Sequence, residues 1–215
     1  MNKAGRYDSS GLAEDQYEPG SRGRVLKNLP GIRSKRLMDE REAETHALAL
    51  ENFVHYFHED HKFTSEDICF IHREWLGKIY QWAGRYRQVN LSRPEITFAA
   101  AIAIPQLMNS FEQGPLSIYT PCNFKSREQV VEALAVVHVE FILIHPFREG
   151  NGRVGRILAF LMAMQAGLPG LDFSGIRGKT REEYFAAVRA GFDASYAPME
   201  KVFNDVVSKS WSLRA

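Results

Sequence analysis

His145, Glu149, Gly150, Asn151, Gly152, Arg153 and Arg156 fall within one short stretch of the chain, and each residue type suits a part of an anion-handling reaction. His145 titrates near neutrality in ordinary surroundings, which suits a general base taking a proton from an incoming hydroxyl. Gly150 and Gly152 carry no side chain, so phosphate oxygens can reach the backbone amides and the chain can adopt positive φ. Asn151 adds an amide donor without adding charge. Arg153 and Arg156, three residues apart, are neighbours on one helical face and offer planar forks to phosphate oxygens. Glu149 would be repelled by polyphosphate unless a Mg²⁺ lay between them, and such ions are commonly held by one carboxylate together with phosphate oxygens.

These residues need a rigid mount. Apolar runs at 133–144 and 157–166 flank them, so the stretch reads as a loop opening a buried helix, whose first amides and dipole favour an anion. Elsewhere the periodicity predicts helices over 34–59, 64–82, 99–113, 126–144, 151–166, 180–192 and 197–211. The first carries Leu37, Ala43, Ala47, Leu48, Leu50, Phe53, Val54 and Phe57 as an amphipathic set. The second has Thr64 and Ser65 to cap it, Glu66 and Asp67 in its first turn, and Ile68, Ile71, Trp75, Leu76 and Ile79 as inward positions. Residues 85–98 read as a short hairpin around Ser92-Arg93-Pro94-Glu95. Residues 1–22 are polar with no sustained apolar period and read as an extended arm.

The run His145-Pro-Phe-Arg-Glu-Gly-Asn-Gly-Arg153-Val-Gly-Arg156 resembles the signature of the Fic-domain family, His-x-Phe-x-(Asp/Glu)-Gly-Asn-Gly-Arg-x-x-Arg, with every defining position filled. Trp82-Ala-Gly-Arg-Tyr-Arg87 resembles the family's approach to its flap. Arg181-x-x-Tyr184, followed by Gly191-Phe192-Asp193, resembles its downstream helix. The resemblance covers residues 25–207. It implies an all-α fold, a Fic-type helical bundle with a β-hairpin flap near the active site, placed here as a domain over 23–215 behind an arm of 1–22. It also implies a protein adenylyltransferase: AMP passes from ATP, with Mg²⁺ on Glu149, to a Ser, Thr or Tyr hydroxyl of a target protein. His145 would be the base. Gly150, Asn151, Gly152, Arg153 and Arg156 would hold the phosphates, Tyr184 with Phe185 would wall the nucleobase, and Ile96, Thr97 and Phe98 would dock the target backbone. Transfer of UMP, phosphocholine or phosphate, or nucleotide binding without turnover, are the alternatives. Gly152 argues against the kinase-like variant of the family, which has Lys there.

Many relatives of this kind are inhibited by a helix bearing (Ser/Thr)-x-x-x-Glu-(Gly/Asn), whose glutamate pairs with the second motif arginine. Here only Ser10-Gly-Leu-Ala-Glu14-Asp15 approaches that pattern, within the arm expected to be a passive extension. The resemblance therefore implies a small antitoxin-like partner that supplies the glutamate in trans to Arg156. Two further histidine features are expected to be structural or solvent-exposed: His138, seven residues before His145 on the same helical face, as a satisfied core residue, and the set His55, His58 and His61 as surface residues. A net charge of +1 leaves no global field favouring nucleic acid or an anionic membrane. Two cysteines and no apolar run of spanning length point to a reducing, cytoplasmic setting.

Overall fold

The computed structural model describes residues 11–93 and 96–212, side chains at 211 and 212 excepted; Ser10 of the inhibitory-like run and Pro94-Glu95 of the hairpin lie outside them. Helix α1 (Lys35–Tyr56) starts where Ser34 accepts the Leu37 N–H, and it packs against α2 (Ser65–Leu76). At the start of α2 the Thr64 hydroxyl accepts from the Asp67 N–H at 3.1 Å, and the Asp67 carboxylate accepts from the Thr64 N–H at 2.8 Å. This reciprocal cap satisfies two otherwise orphaned donors. Ile68, Ile71, Trp75, Leu76 and Ile79 are all buried, as the spacing predicts. The helix stops at Leu76 rather than near 82, because Gly77 caps it and residues 78–84 continue as turns that bury Tyr80 and Trp82.

Helix α1 departs from its expected face. Leu37 and Leu48 are exposed, whereas Met38, Glu42, Ala49 and Phe53 are buried. The buried stripe therefore carries a carboxylate at a core position, with consequences at the active site.

After the hairpin come α3 (Ile104–Phe111), a π turn, and the single turn α4 (Ser117–Tyr119). Helix α5 (Arg127–Ile144) runs through the centre of the molecule. It is apolar nearly all round, buries residues from Val130 to Ile144, and packs against α6 (Asn151–Gln165) and α8 (Ala197–Ser212). Helix α7 (Lys179–Ala190) lies against α5 and α8. A helix apolar on every side can only sit in a core, and the candidate base stands at its end.

The hairpin is shorter than 85–98. Only β1 (Ser92–Arg93) and β2 (Ile96–Thr97) pair, antiparallel, with Ser92 opposite Thr97 and Arg93 opposite Ile96. The arm is not extended throughout. Residues Ala13–Asp15 form a 3₁₀ turn, Tyr17 bridges Leu26, and Glu14 and Ser21 are buried. Among the described residues no helix is long and apolar enough to cross a membrane.

Candidate active site

Helices α5 and α6 are joined by residues 145–150, and this connection is built from two backbone inversions. His145 caps α5 in the left-handed region, at φ 52°, and Gly150 caps the start of α6 at φ 85°. A non-glycine residue held there costs about 1–2 kcal/mol and persists only where its surroundings fix it. For His145 the fixing contacts are clear. Its Nδ1–H donates to the Ile142 carbonyl at 3.1 Å, and its ring stacks on Phe98 with centroids 3.6 Å apart. The hydrogen bond sets the tautomer: the proton sits on Nδ1, so Nε2 keeps the lone pair a base needs. Burial, with Arg93 and Arg87 nearby, lowers the His145 pKa to about 3, so the imidazole is neutral at physiological pH.

The loop is folded by its own side chains and by a residue of α2. Asn151 is buried, its side-chain oxygen accepting from the Phe147 N–H at 2.8 Å and its NH₂ donating to the Phe147 carbonyl at 2.7 Å. The oxygen and one N–H of that amide are thereby held by the loop backbone, which gives Asn151 a loop-shaping role, and its NH₂ carries a second N–H that these bonds do not use. His72, which sequence reasoning missed, stacks on Phe147 with centroids 3.9 Å apart. It accepts the Gly84 N–H at Nδ1 (2.7 Å) and donates from Nε2 to the Glu149 carbonyl (3.1 Å). Its pKa falls to about 3, chiefly through burial.

What remains open at the start of α6 is the anion cradle. The amides of Asn151 and Gly152 meet no acceptor among the described residues, as expected of a helix start without a capping side chain. Gly150 must be glycine for a second reason: an added Cβ would lie 2.7 Å from the Trp75 ring. The Glu149 carboxylate is about half exposed and accepts the Gly150 N–H at 3.0 Å.

Arg153 and Arg156 are not an equivalent pair. Arg153 donates to buried Glu42 of α1 at 2.7 Å and lies 4.4 Å over the Trp75 ring, with Glu149 at 3.5 Å. Glu42 also accepts from the Tyr80 hydroxyl at 2.7 Å, and its carbonyl takes the Trp75 Nε1–H at 2.9 Å. Arg156 pairs with no carboxylate among the described residues. Its guanidinium is therefore available for an anion.

A cleft of about 670 Å³ gathers the predicted residues: His145, Glu149, Gly150, Asn151, Gly152, Arg153, Arg156, Tyr184, Ile96 and Phe98 all line it. Thr97 does not; it is exposed on the flap. Ile96 and Phe98 are buried, which leaves them only backbone to offer a docking segment. Tyr184 donates its hydroxyl to His138 Nε2 at 2.8 Å, while His138 Nδ1–H donates to the Gly155 carbonyl at 3.2 Å, so His138 is the satisfied core residue expected. Phe185 joins Tyr184 on the wall, with the Arg93 and Arg181 guanidiniums 5.9 and 5.6 Å from its ring centre. His55 and His58 are exposed, and His61 meets Asp67 at 2.9 Å. No cluster of three metal-ligating side chains occurs among the described residues. Among the described residues Glu149 is the one carboxylate lining the cleft. That donor set fits a hard ion completing its shell with phosphate oxygens and water.

Residues 62–163 match the Fic/DOC family. Over that stretch the chain is similar to the family. Among relatives, it is 34% identical over 125 residues to a protein adenylyltransferase Fic of Nematostella vectensis, an overlap of 57% of this chain and 27% of that protein. It is 27% identical over 147 residues to a probable protein adenylyltransferase Fic of Salmonella typhimurium, covering 66% of this chain and 69% of that one. The chain thus spans about a quarter of the animal relative and about two thirds of the bacterial one. Among solved structures, the Fic domain of a Bartonella quintana effector with bound ADP superposes with a TM-score of 0.72 at 26% identity, covering 91% of this chain and 95% of that one. The BepC protein of Bartonella tribocorum with bound AMPPNP gives 0.73 at 23% identity, covering 91% and 97%, and shares the helical fold with its small hairpin.

Proposed function

We propose that this protein transfers AMP from ATP to a Ser, Thr or Tyr hydroxyl of a target protein. The observation that carries the reading is one cleft that sets a neutral, Nδ1-protonated imidazole beside an open helix start and an arginine without a carboxylate partner. The triphosphate lies on the amides of Asn151 and Gly152, and Arg156 draws charge from the departing pyrophosphate. Arg153, anchored by Glu42, shapes this end of the cleft and adds a partly neutralised charge. His145 Nε2 takes the hydroxyl proton as that oxygen attacks the α-phosphorus, the P–O bond to pyrophosphate breaks, and a protein–AMP phosphodiester is left. Glu149 is the residue that would hold Mg²⁺, and the ion, when bound, neutralises phosphate charge. The names of the Nematostella and Salmonella relatives support the same activity, and the nucleotides bound in the two Bartonella structures support ATP as donor.

The target presents its hydroxyl as an extended segment paired with the flap, whose strands β1 and β2 pair only with each other among the described residues. Control in trans belongs to this reading: a small antitoxin-like partner brings a glutamate to Arg156, which pairs with no carboxylate among the described residues. The setting is cytoplasmic, where ATP is plentiful and the thiols of Cys69 and Cys122 stay reduced. Incubation with α-labelled ATP, Mg²⁺ and lysate, followed by intact-mass analysis, tests the activity. Proteins heavier by one AMP are expected. ATP binding without any labelled product would sink the transferase reading in favour of a nucleotide-binding module.

A further inference from the structure

Arg87 is 1% exposed and lies between the flap and the end of α5. Its Nε–H donates to the His145 carbonyl at 2.7 Å. One Nη donates to the Val89 carbonyl at 2.6 Å, and the other to the Ala99 carbonyl at 2.6 Å and the Ile144 carbonyl at 3.4 Å. Its own N–H donates to the Pro146 carbonyl at 2.8 Å. Val89 and Ala99 bracket the flap, and residues 144–146 carry the candidate base. One guanidinium therefore ties the two ends of the flap to the inverted backbone of His145.

A buried charge of this kind needs an opposing one, and it comes from the N-terminal segment. Glu14 is 7% exposed, and its carboxylate accepts the Gln88 N–H at 2.6 Å and the Val89 N–H at 3.1 Å, the two residues that follow Arg87 in the chain. Burial lowers the Arg87 pKa and the Glu14 charge pulls it back up. The segment bearing Glu14 is itself held, through the Tyr17 to Leu26 bridge and the core residues Val25 and Leu26.

We propose that Arg87 is a positioning residue for transfer, holding the base and the flap as one unit, and that Glu14 locks it from the N-terminal segment. The activity arm of this proposal rests on the transferase reading. The anion cradle does not depend on the clamp, because its shape comes from Asn151, His72 and Trp75. The N-terminal segment then belongs to the active-site apparatus, and the expectation of a passive extension is replaced.

The test uses the full chain with Glu14→Gln and Arg87→Lys. Lysine offers its three donors from one atom and cannot span four carbonyls. Both variants should bind Mg²⁺·AMPPNP with unchanged affinity while amide exchange over residues 88–99 accelerates by about tenfold or more and that of α5 and α6 does not. Labelling from α-labelled ATP should fall about tenfold to a hundredfold in Arg87→Lys, the usual cost of displacing a reacting group, and by less in Glu14→Gln. Equal loss of nucleotide affinity and labelling would show a merely structural role and overturn the proposal. Unchanged flap exchange in both variants would also overturn it. If wild-type protein labels nothing, the transferase reading falls, and the exchange and nucleotide-binding measurements still decide on the clamp.

Discussion

Gly150→Ala tests the loop at its tightest point. The residue sits at φ 85°, and a Cβ there would lie 2.7 and 3.1 Å from two Trp75 ring carbons and 3.3 Å from Leu76. The positive φ alone costs alanine about 1–2 kcal/mol. Trp75 cannot step aside: it is fully buried, hydrogen-bonded to Glu42 and covered by Arg153. Overpacking against it adds about 1–3 kcal/mol, so the sum is about 2–5 kcal/mol. At about 2–4 °C per kcal/mol for a chain of this size, the melting temperature should fall by about 4–20 °C. Gly31→Ala is the internal control, since Gly31 has φ 67° with nothing within 4 Å of an added Cβ; it should lose only the backbone part, about 1–2 kcal/mol. Differential scanning fluorimetry of the two variants, with Mg²⁺·AMPPNP titrations, separates the contributions. If Gly150→Ala melts no lower than Gly31→Ala, the close approach of Trp75 to the loop is not what the geometry says it is.

Four other outcomes are expected. His145→Ala should keep nucleotide affinity and lose transfer by about two to four orders of magnitude; equal turnover in the variant would remove His145 from the chemistry. Asn151→Asp loses the NH₂ that donates to Phe147, so it should destabilise by about 1–3 kcal/mol in denaturant melts; weakened nucleotide binding at full stability would mean that the side chain contacts the nucleotide after all. Glu42→Gln removes the charge opposite Arg153 and should cost about 1–3 kcal/mol, less than a fully buried pair because Arg153 is about a third exposed. A change below measurement error would make that pair ornamental. His72 and His138 have folded pKa values of about 3 and about 4, below the ordinary histidine value. Between those values and about 6.5 the unfolded chain binds protons that the folded chain refuses. Stability is therefore full above about pH 6.5 and should fall below it by as much as about 1.4 kcal/mol per pH unit for each histidine. Urea midpoints that stay level between pH 7 and pH 5 would contradict this.

The sequence carried the chemistry more plainly than the scaffolding around it. His145, Glu149 and the two glycines declare themselves because their types and spacing suit a reaction, and they do meet in one cleft. The helices over 35–56, 127–144, 151–165 and 197–212 were legible from period and capping residues. The hidden residues are long-range partners. His72 meets the loop 77 residues away, Arg87 meets His145 across 58, and Glu14 reaches Gln88 across 74. No local pattern encodes such distances. Glu42 did leave a trace, being a carboxylate in register with Met38, Ala49 and Phe53 on the buried face of α1. Reading that face instead as the one bearing Leu37 and Leu48 concealed it. Asn151 is the opposite case: its type suits phosphate, while nothing in the local pattern shows that the loop's own backbone also takes its oxygen and one N–H.

The floor and the roof of the cleft are of very different construction. The floor is the junction of α5 and α6, two buried helices whose packing fixes His145, the amides of Asn151 and Gly152, and Arg156 together. The roof is a hairpin of two residues per strand, with Ser92, Arg93 and Thr97 turned to solvent. Substitutions at the exposed Ser92 and Thr97 disturb no buried side chain, whereas Arg93 reaches over Phe185 on the cleft wall and the positions beneath the hairpin are buried. In the course of divergence, then, the rim of the cleft can change quickly while its floor stays fixed. The same asymmetry makes Ser92 and Thr97 the positions at which the rim can be varied without touching the cleft beneath it.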